Sequence, residues 1–250
     1  SPMLVGLLRA LRDRTGFKLF CVGDDWQSIY RFNGSDVGYI LDFERWWGPS
    51  EICRIETTYR FSGSILTESN AFMNRSPHQI HKDLRPGMDR GSRLEVADCD
   101  NRIEWGRRIS EAISLIPRNE SVLILGRFRH DIVSLESAGF RWKPCLGSQS
   151  YIVTDRRNPG REIEFMTIHG SKGIQADHVF VLNNIRGPYG FPDKRPEPPM
   201  VGLLLSDAGT KMDEERRLFY VAMTRAKKVV HIMTLRGLES EFVRELNAFV

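Results

Sequence analysis

The run Glu214-Glu215-Arg216-Arg217-Leu218-Phe219-Tyr220-Val221-Ala222-Met223-Thr224-Arg225-Ala226-Lys227-Lys228 reads as one helix feeding a strand. Leu218, Val221, Ala222 and Ala226 repeat at the three-and-four spacing of a single helix face. Asp213, Glu214 and Glu215 stand in the first turn and Lys227-Lys228 in the last, so charge complements the helix dipole at both ends. Val229-Val230-His231-Ile232-Met233 then follows as an apolar, β-type run. The residues to explain are Arg216, Arg217 and Arg225. Charge pattern alone favours a solvated outer face for them.

Working outward, apolar runs predict buried-type strands over 17–22, 52–55, 93–97, 122–125, 163–168 and 178–182. Helical periodicity predicts helices over 3–13, 35–47, 65–74, 103–116, 131–138 and 238–249. Stretches 78–93 and 187–199 read as loops and 147–160 as an exposed polar connection. Strands alternating with helices imply an α/β fold with a parallel sheet flanked by helices.

Three further stretches carry chemistry. Val22-Gly23-Asp24-Asp25-Trp26-Gln27-Ser28-Ile29-Tyr30-Arg31-Phe32-Asn33-Gly34-Ser35 closes an apolar run with two acids. Asp24 and Asp25 can be read as a Walker B type magnesium site at a strand's carboxyl end, as part of a longer motif, or as turn formers. Tyr30 and Phe32, interleaved with Arg31, suit unpaired bases, at roughly 1–3 kcal/mol per stacked base. Glu56-Thr57-Thr58-Tyr59-Arg60-Phe61-Ser62 follows. The third stretch is Met166-Thr167-Ile168-His169-Gly170-Ser171-Lys172-Gly173-Ile174-Gln175. Its Gly-Ser-Lys-Gly is not a phosphate loop, because G-x-x-x-x-G-K-[ST] occurs nowhere in the chain. His169 has no carboxylate partner within the stretch and is not a candidate general base.

Taken in order, these stretches resemble motifs III, IV, V and VI of the UvrD/Rep-type superfamily 1 DNA helicases. The resemblance implies a RecA-like fold, with residues 1–48 as the tail of a first RecA-like domain and 49–250 as the second. About a hundred residues separate Arg60 from Glu164, too few for the large domain that many family members insert there. It also implies that Gln27, Arg60 and Arg225 meet the γ-phosphate of ATP, with Tyr59 on the base and Gln175 near the ribose. Tyr30, Arg31, Phe32, Thr167, His169 and Lys172 would face single-stranded DNA. Asn33, Thr58 and Gln175 depart from the residues usual in the family, the last replacing a glutamate.

The implied whole is an ATP-dependent 3′-to-5′ helicase, cytoplasmic and nucleoid-associated, that uses ATP and magnesium. Its partners would be single-stranded DNA, a preceding RecA-like domain and repair or replication proteins. The magnesium ligands would precede Ser1, and the 250 residues alone would be inactive. Two other readings stay open. One is a non-catalytic helicase-like accessory module; the other is a nucleotide-binding α/β domain with Tyr30 and Phe32 buried.

Bulk composition agrees with a globular protein and narrows little. The net charge of +4 is compatible with nucleic acid without arguing for it. Cys21, Cys53, Cys99 and Cys145 are scattered, so neither a disulfide framework nor a metal site is expected. No apolar run approaches the roughly 20 residues of a membrane span.

Overall fold

A computed structural model describes residues 1–196 and 210–247. In chain order the elements are α1 (Pro2–Thr15), α2 (Gly38–Leu41), α3 (Phe43–Trp47), β1 (Thr57–Thr58), α4 (Gly63–Asn74), β2 (Arg85–Pro86) and β3 (Arg93–Cys99). Then come α5 (Arg102–Leu115), β4 (Val122–Gly126), a 3-10 segment (Arg129–Ala138), β5 (Phe140–Pro144), β6 (Tyr151–Asp155) and β7 (Ile163–Thr167). β8 (Ala176–Val181), α6 (Lys211–Met223), β9 (Ala226–Leu235) and α7 (Glu241–Asn247) complete the chain.

Seven strands form the central sheet in the order β3-β9-β8-β4-β7-β6-β5. The first five are parallel, and β6 and β5 extend the sheet antiparallel at one edge. Successive side chains of a strand point to opposite faces, so β4 divides its apolar residues between two cores. Leu123 and Leu125 pack with Phe72, Phe219, Val221 and Phe242 beneath α4, α6 and α7. Val122 and Ile124 pack with Trp105, Ile109, Leu135 and Phe165 beneath α5 and the 3-10 segment. With both faces covered, the parallel strands are buried runs.

Several expectations need correction. Residues 17–22 form no strand, and Phe20 and Val22 are 90% and 81% exposed. An apolar run becomes a strand only when a neighbour accepts its hydrogen bonds, and no described strand runs beside this one. Stretch 52–55 is likewise irregular, and the pairing begins later, at Thr57 and Thr58 against Arg85 and Pro86. Stretch 147–160 is no mere connection. It contains β6, whose Asp155 is buried and accepts from Ser110 Oγ at 2.7 Å and Asn158 Nδ2 at 2.6 Å. The sheet is therefore mixed rather than wholly parallel. Of the loop expected over 187–199 and the helix over 238–249, residues 197–199 and 248–249 lie outside the described residues.

Helix α6 also starts earlier and stops sooner than its periodicity suggests. Thr210 and Asp213 form a reciprocal capping box at its start. At its end Thr224 Oγ1 bonds back to Tyr220 O, and Ala226 already pairs with Ala176 in the sheet. Lys227 and Lys228 thus belong to β9. Nor are the arginines solvated: Arg217 and Arg225 are 2% and 1% exposed. Arg216 grips Glu245 through both Nη atoms at 2.7 and 2.8 Å and stacks over Phe72.

Gly106 shows how closely the second core is packed. A Cβ there would lie 1.9 Å from Ala138 Cβ and 3.4 Å from its Cα, so α5 can approach the 3-10 segment only without one. Gly106→Ala gains helix propensity of about 1 kcal/mol. Overpacking costs about 1–3 kcal/mol and should win. Urea unfolding should therefore show a lower midpoint for Gly106→Ala at unchanged slope.

Candidate functional site

The segment from Asp24 to Gly34 makes two short turns, and α6 anchors both. Trp26 is fully buried, meets Tyr220 edge-on at 5.2 Å and donates its indole N–H to Ile80 O at 2.9 Å. Arg217 Nε donates to Ser28 O at 2.8 Å, and Glu214 Oε1 accepts from Arg31 N at 2.6 Å. Asp24 caps the first turn by accepting from Trp26 N at 3.1 Å. Both acids are engaged by Lys82, at 2.7 Å from Asp24 and 2.5 Å from Asp25. They therefore stand as turn and anchoring residues. Among the described residues no group of three or more His, Cys, Asp or Glu could hold a metal ion.

On one side of this segment lies a cleft of about 460 Å³, lined by Asp24, Gln27, Thr58, Tyr59, Arg60 and Gln175, with Tyr220 among its other walls. Its size is that of a small-molecule site. Tyr59 is 65% exposed, and its ring lies directly on the backbone of Gly87, where a Cβ would stand 2.4 Å from the ring. Gln27 Nε2 donates to Asp24 Oδ2 at 2.5 Å. Arg60 Nη1 donates to Thr224 O at 3.3 Å, leaving its Nε buried without a partner.

Arg225 does not line the cleft. It lies beneath the wall, with Nε donating to Val221 O at 3.0 Å and Nη1 to Ile174 O at 3.4 Å. Its Nη2 is buried without a partner. Burial, and then the neighbouring Arg60, lowers its pKa to about 10; burial also lowers that of Arg60. Two partly satisfied guanidiniums side by side in a dry wall form a strong demand for an anion.

A second cluster forms where β7 ends. The rings of Tyr30 and Phe32 lie 6.0 Å apart, and His169 is 6.1 Å from the first and 5.2 Å from the second. Tyr30 Oη donates to His169 O at 3.0 Å. Lys172 Nζ sits 5.2 Å over the Tyr30 ring and donates to Gln27 O at 3.0 Å, which joins this cluster to the cleft. Phe32 is 57% exposed and Tyr30 half-buried, so the two are not core residues. Thr167 closes β7, its Oγ1 accepting from Gly170 N at 3.2 Å.

Sequence reading missed the group that ties this cluster to α6. Arg127 follows β4 and donates to Glu215 through Nε, at 3.1 and 3.0 Å, and through Nη2 at 2.6 Å. Glu215 is 1% exposed and also accepts from Asp193 N at 2.9 Å. Asp193 in turn binds Arg195 at 2.9 Å and Lys211 at 3.1 Å. The available signal was positional, since residues just past the carboxyl ends of parallel strands are where such sheets meet ligands.

Burial, and then the charge of Arg127, lowers the His169 pKa from 6.5 to about 4. The unfolded chain therefore takes up a proton at this site first as pH falls. The native state loses stability progressively from about pH 6.5 down to about 4. Unfolding free energies measured across that window should fall less steeply for His169→Gln than for the parent chain.

Comparison with known proteins places these features. Residues 150–237 match the UvrD-like helicase C-terminal domain, and residues 1–47 match the UvrD/REP helicase N-terminal domain. DNA helicase IV of Escherichia coli strain K12 is 36% identical over 249 residues, which is 98% of this chain and 34% of that protein. ATP-dependent DNA helicase UvrD1 of Mycobacterium bovis is 29% identical over 182 residues, 69% of this chain and 23% of that protein. Among solved structures, the C-terminal domain of a possible DNA helicase from Lactobacillus plantarum WCFS1 aligns at 15% identity with a TM-score of 0.44, over 76% of this chain and 94% of that one. The chain thus spans about a third of the length of helicase IV. With the C-terminal family match over β6 to β9, and helicase IV similar along nearly the whole chain, this chain belongs to the UvrD/Rep-type family of superfamily 1 helicases.

Proposed function

We propose that this chain supplies the second motor domain and the end of the first, with residues 1–48 read as that end, to an ATP-dependent 3′-to-5′ DNA helicase. The observation that carries this reading is the convergence of Gln27, Tyr59, Arg60 and Gln175 on one cleft, backed by Arg225. The unpartnered N–H groups of Arg60 and Arg225 fit a triphosphate, and the exposed Tyr59 ring offers a face to a base. Gln175 lacks the carboxylate that would hold a ribose most strongly. Magnesium does not fit the described residues, because Asp24 and Asp25 are committed to Lys82.

In this reading hydrolysis of the bound ATP supplies the free energy for movement. Arg60 and Arg225 place N–H donors toward charge that develops on the transferred phosphoryl group, in a wall where water does not screen them. Gln27, hydrogen-bonded to Asp24 and contacted by Lys172, carries a change in the cleft to the ring cluster. Tyr30, Phe32 and His169 offer ring faces to unpaired bases, while Arg31, Thr167 and Lys172 meet the backbone. The 250 residues alone bind single-stranded DNA weakly at low salt and turn over no ATP.

The test is strand displacement by the full-length protein on duplexes bearing a 3′ or a 5′ single-stranded tail. ATP-dependent displacement from the 3′-tailed duplex alone is expected. Displacement from the 5′-tailed duplex alone would overturn the polarity, and none from either would overturn the motor reading.

A further inference from the structure

A second set of rings stands beside the first on the same edge of the sheet. The Phe128 and His130 rings stack 5.1 Å apart at an interplanar angle of 7°, and Tyr189 meets His130 edge-on at 5.7 Å. The Arg195 guanidinium lies 4.8 Å over Phe128 and 5.4 Å over Tyr189. Arg127 covers Phe128 at 4.8 Å. Tyr189 is 59% exposed, and the side chain of His130 is 55% exposed. The carboxylates nearby, Asp131, Asp193 and Glu215, are 1%, 5% and 1% exposed, so acids lie beneath the surface and cations on it.

Gly126 ends β4 beside Thr167, which ends β7, so the two ring clusters spring from adjacent strand ends. Adjacent strands are about 4.8 Å apart. Arg127 sits between the clusters, its charge acting on His169 and its guanidinium on Phe128. Rings that keep exposed faces, with arginines lying over them, match a ligand whose flat apolar groups alternate with anions. Single-stranded nucleic acid has that chemistry, since every base offers a ring face and every link a phosphate.

We infer that Phe128, His130, Tyr189 and Arg195 form a second stacking platform that extends the Tyr30–Phe32–His169 cluster along the carboxyl edge of the sheet. The inference rests on reading that first cluster as a single-strand site. Bases leaving Phe32 and His169 pass Arg127 and stack on His130 and Tyr189, with Arg195 and Arg129 near the phosphates. The platform lengthens the bound stretch without adding base selectivity, because stacking tolerates any base.

The test is fluorescence anisotropy of labelled oligothymidylates of increasing length with this chain at low salt. The wild-type chain should gain affinity as the oligomer grows beyond the first cluster. His130→Ala/Tyr189→Ala should bind long oligomers on the order of tenfold more weakly. The shortest oligomers should bind it as they bind the wild type. Tyr189→Trp should retain long-oligomer affinity, which separates a lost ring face from a damaged surface. Phe32→Ala should weaken binding at every length. Wild-type affinity of the double variant for long oligomers, alongside loss in Phe32→Ala, would overturn the platform and leave the first site standing. Wild-type affinity in both variants, or no binding by the parent chain, would overturn the single-strand reading and the platform with it.

Discussion

The arrangement depends on ionised side chains that α6 holds out of water. Glu214, Glu215 and Arg217 are 8%, 1% and 2% exposed, and each is tied to a different segment. Glu214 binds Arg31 N, Arg217 binds Ser28 O, and Glu215 binds Arg127 and Asp193 N. Removing charges from water costs several kcal/mol per ion, so such a set is tolerable only when its geometry is satisfied. Breaking a buried pair by deleting one partner typically costs about 3–5 kcal/mol. That asymmetry makes the set a positioning device. It admits one placement of the ring-bearing segment against the sheet and penalises others.

The opposite end of the same helix is built on the opposite principle. Tyr220, Thr224 and Arg225 bring Arg60 and Arg225 together without a carboxylate to neutralise them, and N–H groups on both are left over. Both guanidiniums consequently hold their protons less tightly than usual. An incoming anion relieves that repulsion and satisfies the orphaned donors at once. Thus α6 presents satisfied charge toward the ring clusters and unsatisfied charge toward the cleft. At about 1.5 Å per residue, the eleven steps from Glu214 to Arg225 would set the two some 16 Å apart along a continuous helix. A rigid rod of that length gives a change at one end a direct route to the other.

Much of this was legible in the sequence, for reasons that differ by element. β4, β7, β8 and β9 are apolar runs buried on both faces, so length and composition identify them without further context. Runs 17–22 and 52–55 have the same composition but no neighbouring strand, and hydrogen-bond partners are not written in a local pattern. β5 and β6 escaped notice because Trp142, Lys143, Ile152 and Thr154 belong to an edge hairpin with one wet face. The site stretches were recognisable as strings, and the folded chain brings Gln27, Tyr59, Arg60 and Gln175 to one cleft. What no string could show is that Arg225 lies beneath the cleft wall, or that Glu215 reaches Arg127 across 88 residues. Helical periodicity placed Arg217 on a solvated face because it counts apolar residues only, and a buried ion pair looks polar to it.

The central claim is that the two half-satisfied arginines act on the phosphoryl group of ATP. It is tested most directly by ATP turnover of the full-length protein, with and without single-stranded DNA, for wild type and Arg225→Ala. Losing one charge-stabilising arginine should reduce turnover on the order of 10³-fold, with nucleotide binding largely kept. Equal turnover in the two proteins would contradict the account and leave Arg225 a structural residue of the turn into β9.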